Sequence, residues 1–175
     1  MAATKILMIE CMEADDEDES AFLERLLNML DRGSCDLTRI KVGTKRGFLT
    51  KLKSLASKRW DHVHISAHGE EHEFICVGDD VVAPDELPEG CFHNAVVTIS
   101  ACGLGRMDFF REFAGQTGAK VVIAPLNDVE MTHAAIFYCL FYYLVVVAGM
   151  TPSGAFDRAK DALAGRALGG FGYFR

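Results

Sequence analysis

Closely spaced cysteine pairs are missing from this 175-residue sequence. Its six cysteines include no C-x-x-C pair, and their spacing fits neither a zinc ribbon nor a compact disulfide framework. We therefore expect reduced thiols, as in a cytoplasmic protein. The six are Cys11, Cys35, Cys76, Cys91, Cys102 and Cys139.

Long hydrophobic runs are missing as well. The only candidate, Ala134–Gly149, has 16 residues, whereas a membrane-spanning helix needs about 20. It predicts a core helix, or a helix that covers a contact in a homodimer. The N-terminus carries one lysine and a short apolar run before an acidic segment, which does not fit a secretory signal. The sequence thus predicts neither membrane insertion nor export.

Basic residues are in deficit, with 18 Lys and Arg against 25 Asp and Glu. Six of the acids lie between Glu13 and Glu19, so the remainder is nearly balanced at 19 acidic against 18 basic. No basic surface for nucleic acid is therefore expected. Half of the residues are apolar and Gly plus Pro amounts to 16 + 4 = 20, which excludes a disordered chain. We expect a single globular domain over residues 1–175.

Short apolar runs alternate with segments of helical periodicity along the chain. Such alternation predicts an α/β fold with a mostly parallel six-stranded sheet and helices on both faces. A small hairpin is expected over Phe74–Leu87. The predicted strands are Lys5–Cys11, Leu37–Val42, His62–Ala67, Ala95–Ala101, Lys120–Leu126 and Phe171–Phe174. The predicted helices are Glu19–Arg32, Lys45–Lys58, Met107–Ala114, Thr132–Ala148 and Pro152–Leu163.

Reactive side chains stand where two of the predicted strands end. His68-Gly69 closes the third strand, and Cys102-Gly103 closes the fourth. If these strands are neighbours in a parallel sheet, their ends lie side by side, so an imidazole and a thiol converge. An imidazole can take the proton of a thiol and make it a nucleophile. The backbone N–H groups of Gly69 and Cys102 would then be available to an oxyanion.

Other chemistries fit these residues less well. Four histidines (His62, His64, His68 and His72) suggest a metal site, but the Asp of the usual H-x-H-x-D-H set is absent, and strand histidines usually belong to the core. A cysteine phosphatase needs C-x5-R, and the position six beyond Cys102 is Asp108. The glycines after Cys102 match no nucleotide-binding pattern. His68 and Cys102 could also be polar strand ends without a role. We expect no metal and no cofactor.

The order histidine then cysteine, each followed by glycine, resembles the caspase-like cysteine peptidases of clan CD, and the CHAT branch in particular. The resemblance rests on HISAHG (His64–Gly69), on ISACG (Ile99–Gly103) and on the tail of the chain from VVIAPL to FGYF. It implies a caspase-like three-layer sandwich in which His68 is the catalytic base and Cys102 the nucleophile, with a protein or peptide as substrate.

The resemblance also has implications for regulation. Most CHAT proteins carry an additional sensing domain, and none is recognised in this sequence. We therefore expect activation in trans by a partner protein or a small signalling molecule, in bacterial antiviral defence or programmed cell death. Two alternatives are a catalytically silent caspase-fold module that binds a regulator or small ligand, and a flavodoxin-like ligand-binding domain.

The acidic segment Glu13–Glu19 suggests a specificity for cationic side chains. It follows the first strand, and so lies at the edge of the sheet where His68 and Cys102 converge. By the resemblance, the pocket for the residue before the cut includes Glu10, Asp128 and Ala101. The sequence thus predicts cleavage after Arg, less readily after Lys, and not after Asp. Alternatively, the acidic segment is exposed to solvent, and its negative charges complement the N-terminal dipole of the predicted helix.

Overall fold

The computed structural model describes residues 3–12, 19–29, 34–70, 73–75, 80–104, 107–163 and 170–175. The strands are β1 (Thr4–Glu10), β2 (Cys35–Lys41), β3 (His62–Ser66), β4 (His68–Glu70), β5 (Glu73–Ile75), β6 (Val81–Val82), β7 (Val96–Ser100), β8 (Val121–Pro125) and β9 (Phe171–Phe174). The helices are α1 (Ser20–Met29), α2 (Lys45–Leu55), α3 (Met107–Thr117), α4 (Met131–Val146) and α5 (Pro152–Leu163), with a 3₁₀ turn at Pro84–Glu86.

The main sheet has six strands in the order β2-β1-β3-β7-β8-β9. All neighbouring strands are parallel except β9, which runs antiparallel to β8. Every residue of β3, β7 and β8 is buried, because helices cover both faces of the sheet. These findings confirm the predicted α/β architecture.

The two faces of the sheet carry separate cores. Alternate residues of a strand point to opposite faces, so Leu7 and Ile9 pack with α2 and α3, while Ile6 and Met8 pack with α1, α4 and α5. The result is a three-layer sandwich. The apolar helix α4 buries one side against the sheet, and Ile136 and Tyr143 on the other side are 48% and 44% exposed. The segment is thus a helix as predicted, and whether a homodimer covers its exposed side stays a prediction. No helix among the described residues is long and apolar enough to cross a membrane.

The third strand is shorter than predicted. It ends at Ser66, and His68 instead opens β4, the first strand of a separate antiparallel sheet with β5 and β6. Ala67 still donates a backbone hydrogen bond to the Ser100 carbonyl at 3.0 Å. Beyond Ser100 the chain leaves the direction of β7 in a turn in which Gly103 has a positive φ of 71°. No strand of the main sheet therefore pairs with β4. The predicted hairpin corresponds to β5 and β6, although its residues 76–79 lie outside the described part of the chain.

Candidate active site

The ends of β3, β7 and β8 and the start of α4 surround a cavity of about 220 Å³. This position, at the carboxyl edge of a parallel sheet, is where α/β proteins commonly place their functional groups. The lining residues are Met12, Glu19, Ser66, Ala67, His68, Gly69, Ser100, Ala101, Cys102, Pro125, Val129, Met131 and Ala134. Both His68 and Cys102 are among them, so the topology brings the two reactive side chains to one cavity.

Cys102 sits in the turn that follows β7 and is half-buried, whereas His68 is exposed at the start of β4. The Cys102 sulfur lies 3.8 Å from the carbonyl oxygen of Val129. That carbonyl belongs to the segment between β8 and α4, so three elements meet at the thiol. The adjacent strands β3 and β7 pair in parallel register, with Ser66 opposite Ser100, which explains why the segments that follow them converge.

Gly69 is in direct contact with the backbone of Cys102. A Cβ atom at position 69 would stand 1.9 Å from the Cys102 carbonyl oxygen and 3.0 Å from the Cys102 nitrogen. No side chain can be accommodated at such a distance without a backbone shift, so glycine is required here. The contact joins the segment that carries His68 to the residue that carries the thiol.

The structure places some of the predicted pocket residues in the cavity lining and others outside it. Ala101 is buried and lines the cavity. Asp128 is exposed between β8 and α4, and it is not a lining residue, although its neighbour Val129 is. Within the acidic segment, residues 13–18 lie outside the described part of the chain, whereas Glu19 is buried and lines the cavity.

Glu10 requires a correction, because it does not line the cavity. The parallel register of β1 and β2 places Lys41 opposite Glu10, and the carboxylate is paired with both Lys41, at 2.5 Å, and Arg39. Burial raises the pKa of the Glu10 carboxyl, but the hydrogen bonds and charges of Lys41 and Arg39 outweigh it and hold that pKa below its usual value. Lys41 and Arg39 of the same chain thus already neutralise the Glu10 carboxylate.

Glu19, which lines the cavity, belongs to a buried pair with His64 that the sequence reasoning did not identify. Both ring nitrogens of His64 form a hydrogen bond. Nε2 lies 2.9 Å from Glu19 Oε1, and Nδ1 lies 2.8 Å from Thr98 Oγ1. His64 and Thr98 are completely buried, and Glu19 is 4% exposed. The alternation in HVHISAH marks His64 as a strand residue, but only the fold shows that it faces a carboxylate.

Ser66 adds a second polar group to the cavity lining. Its hydroxyl is buried and has no hydrogen-bond partner among the described residues. Four apolar residues also line the cavity, namely Met12, Val129, Met131 and Ala134.

Cys35, Cys91 and Cys139 do not line the cavity, and their surroundings disfavour a thiolate. Burial raises the pKa of Cys91 to about 12. Burial also raises the pKa values of Cys35 and Cys139, with a smaller contribution from Asp36 and Glu19 respectively. Among the described residues, no group of three or more His, Cys, Asp or Glu side chains is placed to hold a metal ion.

No family model matches the chain, and no curated protein matches its sequence. Solved structures do match its fold. One is the crystal structure of the Arg-specific cysteine proteinase gingipain R, with a TM-score of 0.60 at 14% sequence identity. The match covers 93% of this chain but 42% of gingipain R, so the chain spans less than half the length of that protein. The likeness shows that this chain has a caspase-like α/β fold, which it shares with gingipain R.

Proposed function

We propose that the protein is a cysteine peptidase with a catalytic dyad of His68 and Cys102. The observation that carries the proposal is that both side chains line one cavity at the sheet edge, where Gly69 touches the Cys102 backbone. The fold shared with gingipain R supports it. The alternative of a flavodoxin-like domain provides no reason for a thiol and an imidazole to share a cavity.

In the proposed reaction, His68 takes the proton of the Cys102 thiol, and the sulfur attacks the carbonyl carbon of the scissile peptide bond. The backbone N–H groups of Gly69 and Cys102 stabilise the oxyanion. When the C–N bond breaks, His68 gives the proton to the leaving amine, and an acyl-enzyme thioester remains. Water then attacks the thioester as His68 accepts its proton and returns it to the sulfur. The proposed chemistry uses neither a metal nor an organic cofactor.

We assign the specificity for a basic residue to Glu19, together with the Ser66 hydroxyl and Ala101 in the wall of the cavity. Glu19 is preferred over Glu10 because Arg39 and Lys41 already neutralise Glu10. Asp128 is exposed, so solvent screens its charge. A buried carboxylate discriminates strongly, because an uncharged substrate would leave it without a partner. Gingipain R, which shares the fold, is an Arg-specific proteinase, and this supports cleavage after Arg, and after Lys less readily.

Further parts of the proposal rest on the motif resemblance alone. We place residues 1–175 as one peptidase domain in the CHAT branch, in the cytoplasm, with protein or peptide substrates and activation in trans during antiviral defence or programmed cell death. If activation in trans is correct, purified protein should gain activity when extract of infected cells is added. Full activity of the purified protein without any gain from the extract would contradict it.

The dyad is tested by covalent labelling with an arginyl chloromethyl ketone, read by intact mass. We expect one adduct per chain in the natural sequence and none in Cys102→Ala, because a haloketone reacts with an activated thiolate. The same reagent with citrulline in place of arginine, which is nearly isosteric and uncharged, should label slowly. An adduct count unchanged by Cys102→Ala would contradict the dyad, and no labelling in the presence of activating extract would favour the silent module.

The pocket is tested with fluorogenic substrates that carry Arg, Lys, citrulline or Asp before the cut. Glu19→Gln should lower kcat/KM for the arginyl substrate by about 100-fold and change the citrullyl value little. Glu10→Gln serves as the matched control and should leave the preference for arginine unchanged. A preference for the aspartyl substrate would refute the assignment. So would a preference for arginine that is lost in Glu10→Gln and kept in Glu19→Gln.

A further inference from the structure

A second pocket lies between α1 and α4, next to the candidate active-site cavity. It has a volume of about 230 Å³ and is lined by Phe22, Met131, Thr132, Ala135, Ile136 and Cys139. Five of these six side chains are apolar when the half-buried cysteine is counted as a small hydrophobic residue. None of the six carries a charge, so we call this site the apolar pocket.

The apolar pocket exposes hydrophobic side chains to solvent. Phe22 is 56% exposed and Ile136 is 48% exposed. Helix α4, which supplies five of the lining residues, contains no Asp, Glu, Lys or Arg. Contiguous exposed apolar surface of this kind commonly marks a binding site, because covering it removes apolar area from water.

The apolar pocket adjoins the cavity that holds the candidate dyad. Met131 lines both of them. Glu19 of the cavity and Phe22 of the pocket are three residues apart, and the backbone N–H of Leu23 donates to the Glu19 carbonyl at 3.0 Å, so helical geometry already includes Glu19. Side chains at this spacing on a helix are neighbours, with Cβ atoms about 5–6 Å apart. One ligand can therefore occupy both sites.

The spacing of the two sites matches that of an extended peptide. In an extended chain, side chains two residues apart point to the same side and are separated by about 7 Å, whereas adjacent side chains point to opposite sides. A basic side chain beside Glu19 would thus bring the side chain two residues away to the apolar pocket. The pocket volume of about 230 Å³ is below the roughly 300–1,000 Å³ of small-molecule sites, which favours a single side chain over a complete small ligand.

We infer that the apolar pocket binds a large apolar side chain of the peptide substrate, such as leucine, two residues from the basic residue in the cavity. Phe22 and Ile136 are the specificity-determining residues, because they are the exposed apolar side chains of its wall. The inference rests on the proposed function of the cavity and adds a second requirement to it. Substrates would be selected by a basic and an apolar residue at a fixed spacing.

Internally quenched peptides test this spacing under activating conditions. Each peptide contains one arginine and one leucine, and the leucine is moved through the three positions on either side of the arginine with serine elsewhere. We expect kcat/KM about tenfold higher than for the peptide without leucine when leucine is two residues from arginine on one side, and no gain when it is adjacent. Cleavage after arginine without any effect of leucine would overturn the inference and leave the proposed peptidase function intact.

A matched pair of variants tests the wall of the pocket. Ile136 and Val147 are both 48% exposed, but only Ile136 lines the pocket. Ile136→Lys should reverse the preference from leucine to glutamate two residues from arginine, because an ammonium group attracts a carboxylate and disfavours an apolar stem. A misfolded variant would instead lose cleavage of both peptides. Val147→Lys should keep the leucine preference. Leucine preference retained in folded Ile136→Lys, or equal effects of both variants, as expected for a contact with a second copy of the chain, would overturn the inference.

Cys139 allows the pocket to be located without any cleavage. In Cys102→Ala protein, a peptide with cysteine two residues from arginine should form a disulfide with Cys139, read by intact mass and absent in a Cys139→Ser variant. A disulfide requires Cα atoms about 4.4–6.8 Å apart, so a peptide with cysteine next to arginine should react several-fold less. Equal yields from the two peptides would overturn the inference. A position-dependent disulfide, with natural protein that cleaves no peptide, would support the pocket and refute the peptidase.

Discussion

Cys102 differs from the other described cysteines by its surroundings and not by its chemistry. It is half-buried in the wall of a cavity that His68 also lines, whereas burial raises the pKa of Cys91 to about 12. A thiol with such a raised pKa stays protonated at neutral pH and is a poor nucleophile. The position of a cysteine relative to an imidazole thus separates a candidate nucleophile from a core residue.

We predict that Cys102→Ala abolishes peptidase activity, lowering kcat by at least about 1,000-fold, while Cys35→Ala and Cys91→Ala retain most of it. Activity is measured with an arginyl fluorogenic substrate under activating conditions. Circular dichroism shows whether each variant is folded. Turnover by folded Cys102→Ala, in protein free of contaminating peptidase, would contradict the mechanism.

His62 is a second residue whose behaviour depends on burial. It is 5% exposed, its ring packs edge-on against Phe141 and Tyr142, and Nδ1 has no hydrogen-bond partner among the described residues. Burial lowers the pKa of His62 from 6.5 to about 4, although the nearby Asp61 charge acts in the opposite direction. The folded protein therefore binds this proton less readily than the unfolded chain does.

We predict that this histidine makes the free energy of unfolding fall between pH 6.5 and about pH 4. In that window the unfolded chain binds a proton at residue 62 and the folded protein does not, so stability is lost as the pH falls, by about 3 kcal/mol in total. Urea unfolding of His62→Leu should show a correspondingly flatter pH dependence. A pH dependence of His62→Leu equal to that of the natural sequence would refute the prediction.

At the scale of elements, the junction between β4 and the turn after β7 depends on close backbone contact. Gly69 is the point of contact, because a Cβ atom there would overlap the Cys102 carbonyl oxygen. Such an overlap displaces one of the two segments, and both carry groups of the candidate dyad. The separation of β4 from the main sheet thus brings His68 to the cavity at the cost of allowing only glycine at position 69.

We predict that Gly69→Ala lowers the free energy of unfolding by about 1–3 kcal/mol and the activity by far more than this loss of folded protein explains. Gly115→Ala is the matched control, because a Cβ on Gly115 of α3 meets no atom within 4 Å. Alanine in a helix interior is favoured over glycine by about 1 kcal/mol, so this variant should be more stable and fully active. Chemical denaturation and turnover decide the comparison, and an active Gly69→Ala would show that the junction tolerates a shift.

At the scale of the whole molecule, an aromatic cluster holds the last strand to the rest of the fold. Phe171 of β9 stacks on Phe137 of α4, with ring centroids 3.8 Å apart and planes 6° apart, and Phe137 also contacts Phe156 of α5 edge-on. The three rings lie on the face of the sheet that α1, α4 and α5 cover. They join three consecutive elements to the edge of the sheet, where β9 pairs antiparallel with β8.

We predict that Phe171→Ala destabilises the protein by about 3–5 kcal/mol, as expected for a large buried ring replaced by a methyl group. Phe22→Ala is the control, because Phe22 is 56% exposed, and it should change stability by less than about 0.5 kcal/mol. Thermal or urea unfolding measures both. Equal effects of the two variants would show that β9 contributes little to the fold.

The order and type of the elements of the main sheet, and the presence of His68 and Cys102 at its carboxyl edge, could be predicted from the sequence. Pro152–Leu163 and Phe171–Phe174 have the predicted bounds, and β3, β7 and β8 lie within the predicted strands. Periodicity and runs of apolar residues report burial on one or two faces, which is a local property of the chain. That His68 and Cys102 line one cavity agrees with the rule that parallel strands end at the same edge, although His68 begins β4 rather than ending β3.

Which carboxylate faces the cavity depends on how the sheet and helices pack. Glu10 and Glu19 both lie close to the end of β1, and nothing in their local sequence separates them. The register of β1 with β2 brings Lys41 and Arg39 to Glu10, while α1 turns Glu19 towards His64 and the cavity. Charge pairing depends on distances of a few ångströms between residues remote in sequence, and such distances exist only once the sheet and helices have packed.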